Sequence, residues 1–460
     1  MKKYIPIILI LVFSIVFLGL SKNENKDLKD NSKKDTKDII IASYVNGVYT
    51  DELPTESKYF GYVKCFDNSG NEIDSLGFVT WENNKWNVKV TDISSSGTCN
   101  VYFIDPPAHW LDAESGTLLK AIKDNNTVEN VKTRPGKEIN KEDEAVLSGT
   151  LDDYGTSYFF RGNVKNNYVQ FAGKCWQIVR VTGDGSIKLV LWNNANNCNS
   201  KNSIGNSKWN DSELETYETS SGEIKAVNST NTGIGFMYGD ANATNYFDAQ
   251  ANLHDSTILK RLKTWYDEAF QTDDEINPTK YTDLLADVIW CNDKSLHSGT
   301  GYGVTLSYFG GSNRGLHPSL VCPTSDKING DIGNISRYTA KDLVNGNGML
   351  KTLQESGSYK YYPIGLLTDD EMLFAGYKHN VGVNNGALSF ADLSWTITPY
   401  DRSHILALYW TYISTENGGT SGDRPVRPSI ALNYNVQATY NASSTDAPGT
   451  VNNPYVVSVN

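Results

Sequence analysis

The pattern of apolar and polar positions divides the chain into successive parts, and the first is purely apolar. Lys2 and Lys3 precede an uncharged run of 17 residues from Tyr4 to Leu20. This length lies between the apolar region of a signal peptide and a full membrane span of about 20 residues. Paired lysines favour the cytoplasmic side of a bilayer. Residues 1–20 are therefore predicted to direct the rest of the chain out of the cytoplasm.

Three alternatives are open for this leader. It is either an uncleaved single-pass anchor with residues 4–20 in the cell membrane, or a signal cleaved after Ser21, where Gly19 and Ser21 are small. The third alternative, a buried core helix, is disfavoured because no charged residue interrupts the run. The first two alternatives both place the remaining chain on the outside, anchored or secreted.

A charged segment follows at residues 21–38. It contains one leucine and no aromatic residue. Such a composition buries too little apolar surface to fold, so we expect a disordered, solvated stalk.

Residues 39–105 alternate between short β-type runs and turn signals. The runs include IIIASYV, YFGYVKCF, GFVTW, WNVKVTDI and CNVYFI, and the sequences NG, NSGN, ENNK and SSSG separate them. This pattern predicts a small all-β sandwich that ends near Asp105. Residues 106–149 are predicted to be a linker with a short helix over Thr117–Lys123, which Ser115 would cap.

The last part, residues 150–460, is predicted to be the main domain. Successive strand-like runs surround a hairpin turn at Thr182–Gly185. An amphipathic helix begins at Thr257, after Asp255 and Ser256 as caps, and a second helix is expected in YTDLLADVIW. A further helix is expected after Thr368, which would cap it.

Cysteine usage agrees with export. The six cysteines contain no C-x-x-C motif, which disfavours a zinc ribbon or a thioredoxin site. Taken in sequential pairs, the cysteines are 34, 23 and 31 residues apart, so sequential pairing would close three local loops. The alternative is that they are buried free thiols. The disulfide candidates are Cys65, Cys99, Cys175, Cys198, Cys291 and Cys322.

Charge and motif content narrow the function without naming a reaction. The net charge of −12 disfavours nucleic acid as a partner. The sequence contains no motif for a catalytic nucleophile, a metal ligand set or a bound cofactor, so we expect neither catalytic nor metal-ligating residues. Ten Trp and 27 Tyr accompany many Asn and Ser residues, a composition typical of recognition surfaces. Within it, Trp395 is favoured as a core residue, and Arg427 as a partner of a local carboxylate or carbonyl.

The motifs DDYGTSYFFRG, CWQIVRVTGDGSIKLV, LKRLKTWYD, YPIGLLTDDEMLFAG, LSWTITP and RPVRPSIAL occur in this order. As a set, they resemble a family of uncharacterised surface proteins from gut Firmicutes and mollicute-like bacteria over roughly residues 150–435. The ending of these proteins is similar to C-type-lectin-like domains related to formylglycine-generating-enzyme-like modules. The resemblance implies a mixed α/β, loop-rich domain, without an inherited oxidase or calcium-dependent lectin activity.

These observations predict a multi-domain chain with an all-β sandwich followed by a C-type-lectin-like domain. The predicted function is a cell-surface binding or adhesion protein for a glycan or protein ligand. Loops around 193–252 and 297–315 would carry the contacts. The alternatives are a secreted hydrolase acting on polysaccharide or cell wall, and a structural surface-layer component.

Overall fold

A computed structural model gives the fold of the chain over most of its length. The residues that it describes are 39–136, 144–209, 216–218, 224–226, 235–239, 246–249, 251–270, 281–298, 307–308, 318–328, 331–342, 349–377, 387–388, 394–401, 404–409, 412–414 and 422–459. The predicted leader 1–20 and stalk 21–38 lie outside these ranges. Within these ranges, no helix has the length and apolar character needed to cross a bilayer.

Seven strands form the first part of the fold. Five of them make a sheet in the order β2-β1-β7-β3-β4, whereas β5 and β6 form a separate hairpin. Strand β1 runs parallel to β7, and β3 runs antiparallel to it. The strands are β1 (Ile39–Val45), β2 (Val48–Thr50), β3 (Phe60–Phe66), β4 (Glu72–Ile73), β5 (Leu76–Glu82), β6 (Lys85–Thr91) and β7 (Gly97–Ile104).

The β5–β6 hairpin packs on one face of the five-stranded sheet, and two glycines permit the close approach. A Cβ atom on Gly61 would lie 2.3 Å from Cγ1 of Val79, and one on Gly77 would lie 2.4 Å from Cβ of Val63. Any larger residue at either position would push the hairpin away from β3. The apolar cluster between the two layers is centred on Val79, Trp86, Val101 and Phe103.

The rest of the chain is built from short strands with few helices. The helices are α1 (Leu118–Asp124), α2 (Tyr246–Ala249), α3 (Thr257–Phe270) and α4 (Asp369–Phe374), with a 3-10 turn at Thr282–Leu284. The strands are β8 (Ala145–Asp152), β9 (Gly155–Gly162), β10 (Tyr168–Phe171), β11 (Lys174–Val181), β12 (Ile187–Asn193), β13 (Asn206–Ser207), β14 (Thr216–Glu218), β15 (Ile224–Ala226), β16 (Met237–Tyr238), β17 (His254–Asp255), β18 (Trp290–Cys291), β19 (Leu296–Ser298), β20 (Ser307–Tyr308), β21 (Ser325–Ile328), β22 (Asp331–Ile335), β23 (Arg337–Tyr338), β24 (Lys351–Leu353), β25 (Tyr359–Tyr361), β26 (Ser394–Asp401), β27 (His404–Tyr409), β28 (Tyr412–Ser414), β29 (Arg424–Pro425), β30 (Ser429–Leu432), β31 (Ala438–Thr439) and β32 (Tyr455–Val457).

The largest sheet has the order β30-β12-β11-β10-β32-β31, and β8 joins it through β9. Every residue of β12 is buried, as are all but the first of β11. Both strands are mainly apolar, but they also bury the polar side chains of Gln177, Arg180 and Lys188. Helix α3 packs its apolar face, including Leu262 and Trp265, into the same core.

Several local predictions are confirmed. Thr368 caps α4 in a capping box with Glu371, and Ser256 accepts the N–H of Leu259 at the start of α3. The side chain of Asp184 holds the predicted turn by accepting the N–H of Ser186. At the level of fold class, the described structure is rich in β-strands, with several separate sheets and few helices.

Three local predictions are wrong. Thr117, not Ser115, caps α1, because its hydroxyl accepts the N–H of Lys120. Strand β8 already begins at Ala145, within the predicted linker 106–149. Residues 281–290 form only a 3-10 turn rather than a helix, because the chain leaves helical geometry at Leu285 to pair with Leu432 of β30.

Candidate functional site

A groove with a cavity volume of about 320 Å³ lies between β3 of the first sheet and β8 of the largest sheet. Ligand pockets in proteins have volumes from about 300 to 1,000 Å³. The walls combine the two strands with residues from the segments 130–135 and 318–321. The residues that line the groove include Phe60, Tyr62, Val63, Lys64, Glu72, Asn130, Val131, Arg134, Gly149, Leu151, Phe159, Val321 and Phe374.

The first wall is the outer edge of β3. Strand β4 pairs only with Cys65 and Phe66, so it stops short of Val63. At the other end of this edge, the side chain of Asn130 donates to the carbonyl of Gly61 at 2.7 Å and accepts the N–H of Val79 at 2.8 Å. Asn130 therefore closes the edge at Gly61, and the main chain at Val63 borders the groove.

The second wall is the outer edge of β8. Short parallel bridges cover its two ends, from Val128 to Leu147 and from Leu320 to Asp152. The carbonyl of Leu147 accepts the N–H of Glu129 at 2.9 Å, so the main-chain groups of this residue point away from β9. Because these directions alternate along a strand, the N–H and C=O of Gly149 also point outward. Among the described residues, β9 is the only strand that pairs with β8 between the two bridges, so no strand covers the outer edge there.

Apolar side chains form the floor of the groove on both faces of β8, with Phe159 and Phe374 on one face and Phe60 on the other. Phe159 and Phe374 meet edge to face with ring centroids 4.8 Å apart. The ring of Phe60 covers Gly149 so closely that a Cβ atom there would lie 2.6 Å from Cδ1 of Phe60. Leu151 and Val321 stand at the rim with 40% and 45% of their surfaces exposed. An apolar ligand group would therefore meet a preformed aromatic surface.

The charges around the groove are balanced. Lys64 pairs with Glu72 at 3.1 Å, and Arg134 pairs with Asp74 at 2.6 Å. Both pairs retain solvent contact, so each contributes little stability, about 0–1 kcal/mol. Because each cation lies beside an anion, the rim presents no strong field of either sign.

A row of tyrosines crosses the first sheet and ends in the groove. Tyr49, Tyr44, Tyr102 and Tyr62 come from neighbouring strands, and their successive ring centroids lie 5.8, 5.3 and 5.1 Å apart. Burial raises the pKa of Tyr62 well above its ordinary value, with smaller contributions from Tyr102 and Glu72. The phenol of Tyr62 in the groove wall therefore stays neutral at physiological pH.

A second cluster of charged side chains is buried beside α4. Arg180 forms an ion pair with Asp152, and Arg180 and Lys188 both bind Oε1 of Glu371, at 3.1 and 2.6 Å. Burial lowers the pKa of Lys188, against the attraction of Glu371. Because these side chains bind one another and are at most 7% exposed, the cluster connects strands and helix rather than receiving a ligand.

The residues singled out in the sequence have mainly structural roles. The six cysteines form three disulfides in sequential order, Cys65–Cys99, Cys175–Cys198 and Cys291–Cys322. Trp395 is buried and donates its indole N–H to the carbonyl of Ser207. Arg427 is buried and donates to the carbonyls of Leu191 and Trp192. Its partners are therefore carbonyls, as one of the two expected kinds, but they lie 236 and 235 residues away in the chain rather than nearby.

The expected binding loops fall partly outside the described residues. Large parts of 193–252 and 297–315 belong to the undescribed ranges. In the described ranges, no group of three or more His, Cys, Asp or Glu residues is arranged to hold a metal ion. Sequence reasoning missed the groove, because its two edges come from strands about 85 residues apart with no shared motif.

Comparison with protein-family models, curated proteins and solved structures finds no significant match for this chain.

Proposed function

We propose that this chain is an exported cell-surface binding or adhesion protein that takes an extended ligand in the groove between β3 and β8. Residues 4–20 anchor the chain in the membrane or direct its secretion, and residues 21–38 act as a stalk. Three disulfides support an extracellular location, because such bonds persist in oxidising surroundings.

The groove carries the binding proposal. Its aromatic floor offers apolar contact, while main-chain groups of β8 and β3 offer hydrogen bonds in the same cavity. A concave apolar site with a few convergent polar groups is the usual form of a binding site. A length of strand edge suits an extended ligand better than a compact one, because its hydrogen-bonding groups follow a line.

The resemblance over residues 150–435 adds a second part to the proposal. It implies a C-type-lectin-like domain that follows the first β-sheet in the chain, with further ligand contacts in the loops 193–252 and 297–315. The groove between β3 and β8 would then be a binding site separate from these loops, none of whose described residues line it.

The proposal is tested with the full chain in detergent, applied to arrays of glycans and of peptides. The variant Leu151→Trp narrows the groove at its exposed rim, and Leu111→Trp is the matched control because Leu111 is 56% exposed and is not among the residues that line the groove. We expect Leu151→Trp to reduce capture about tenfold or more, equivalent to the loss of about 1.4 kcal/mol of binding. The control should bind like the original chain. Equal capture by both variants, or no capture of either ligand class, would overturn the proposed site.

A further inference from the structure

We propose that the ligand of this groove is an extended, uncharged peptide strand that pairs with the main chain of β8 at Gly149. The inference rests on the proposed binding function and adds the ligand class. Val128 and Leu320 pair with the two ends of the outer edge of β8, and the groove borders the middle of that edge.

The uncovered part of the outer edge of β8 is long enough to pair with a short strand. Residues 148–151 lie between the two bridges, and a strand advances about 3.3 Å per residue, so the open edge is about 13 Å long. A peptide main chain presents N–H and C=O groups at the same repeat as β8 does. The peptide main chain can therefore form hydrogen bonds with both the N–H and the C=O of Gly149. Peptides that add a strand to the edge of a sheet are recognised in this way.

The opposite wall makes the site two-sided. The main chain at Val63 borders the groove where β4 ends, so strand edges lie on both sides of the cavity. The side-chain donor and acceptor of Asn130 are already used by Gly61 and Val79. The main-chain edges therefore offer a ligand hydrogen bonds that follow a line, in addition to the hydroxyl groups of the lining residues Ser75, Ser148 and Thr150.

The aromatic residues of the groove favour apolar side chains in the peptide ligand. Successive residues of a strand point to opposite sides. Alternate ligand residues would therefore face Phe60 on one side of β8, and Phe159 with Phe374 on the other side. Aromatic and β-branched residues favour extended backbone and would fill this surface. Exposed Leu151 and Val321 provide further apolar contact at the rim.

The charges select an uncharged segment. Each cation at the rim is paired with a carboxylate, Lys64 with Glu72 and Arg134 with Asp74. A charged ligand residue on the floor would lose water without gaining a free counter-charge, which is costly. The complementary ligand is thus an uncharged peptide with apolar residues at alternate positions.

The experiment uses the full chain and a synthetic ten-residue peptide of alternating Val or Tyr with Ser or Thr, together with two N-methylated forms. One form is methylated at every second residue and the other at the intervening residues, which leaves the side chains unchanged. Only one set of N–H groups in a strand faces β8, so we expect one form to bind about tenfold more weakly or worse for each bond lost. The N–H groups methylated in the other form point toward the β3 side of the groove, so this form should still protect β8 from hydrogen exchange even where it loses a bond to the main chain at Val63.

Hydrogen exchange locates the contact. Peptide binding should slow exchange in residues 148–151 of β8, and Leu151→Trp should abolish this protection while Leu111→Trp keeps it. Equal binding by both methylated forms with no protection of β8 would overturn strand pairing. Capture of glycans but not of peptides, sensitive to Leu151→Trp, would overturn the ligand class and leave the proposed function standing. Capture of neither class would overturn both.

Discussion

The ammonium group of Lys188 donates a 2.6 Å hydrogen bond to the carboxylate of Glu371, although 183 residues separate the two in the chain. Both side chains are 3% exposed. Arg180 donates to the same oxygen, and the second oxygen of Glu371 accepts the N–H of Thr368. One buried carboxylate thus fixes the start of α4 against β11 and β12.

Replacing this carboxylate should be severely destabilising. Glu371→Gln leaves the two buried cations Arg180 and Lys188 with Asp152 as their one remaining counter-charge in the cluster, and breaking a buried pair in this way costs about 3–5 kcal/mol. Unfolding in urea measures the loss. Glu355→Gln is the control, because Glu355 is exposed in a turn and should change stability by less than about 0.5 kcal/mol. Similar small losses in both variants would contradict the role assigned to Glu371.

The same carboxylate should make stability depend on acid pH. Burial alone would raise the pKa of Glu371, but Lys188 and Arg180 lower it below the ordinary value of 4.5. Because the folded-state pKa is the lower one, the stabilisation is complete above pH 4.5 and is lost as the pH falls through the folded-state pKa. The stability difference between the original chain and Glu371→Gln should therefore shrink when urea unfolding is repeated at about pH 3 rather than pH 7. A difference that is constant over this range would show that Glu371 does not titrate as inferred.

Arg161 should tolerate no replacement, even by lysine. Its guanidinium is fully buried, forms an ion pair with Glu144 at 3.0 Å, and donates to the carbonyls of Thr133, Leu373 and Phe374. Lysine cannot reach these diverging acceptors with its single ammonium group. We expect Arg161→Lys to lower the unfolding free energy by about 3 kcal/mol or more. Arg337→Lys is the matched control, since Arg337 is 40% exposed and its contact with Asp153 is 3.6 Å long; it should change stability by about 1 kcal/mol at most.

The disulfides give a prediction about location as well as stability. Alkylation of the chain recovered from intact cells should label no cysteine before reduction and all six after it. The double variant Cys291→Ser and Cys322→Ser should lose about 3 kcal/mol, because the bond closes a 31-residue loop in the unfolded chain. Free thiols in the unreduced protein, read by mass spectrometry, would contradict both the pairing and the proposed export.

Some parts of this structure could be predicted from local sequence because local contacts decide them. Thr368 and Glu371 are three residues apart and complete a capping box within one helical turn. The turn at Thr182–Gly185 and the start of α3 are likewise determined by neighbours in the chain. The predicted helix over 281–290 failed because a distant partner intervened, as Ala286 donates its N–H to Ala431 of β30. Periodicity carries no information about such partners.

The sequence by itself determined the apolar run of residues 4–20, the charged composition of residues 21–38, the β-rich character and the local spacing of the cysteines, since these depend on composition and on near neighbours. Only the tertiary structure decided which strand edges stay open and what faces them. Gly149 and Val63 become walls of one groove because β4 ends early and the partners of β8 cover only its ends. Whether the edge of a strand is exposed depends on whether another segment of the chain covers it. This is a property of the whole fold, so no single position in the sequence encodes it.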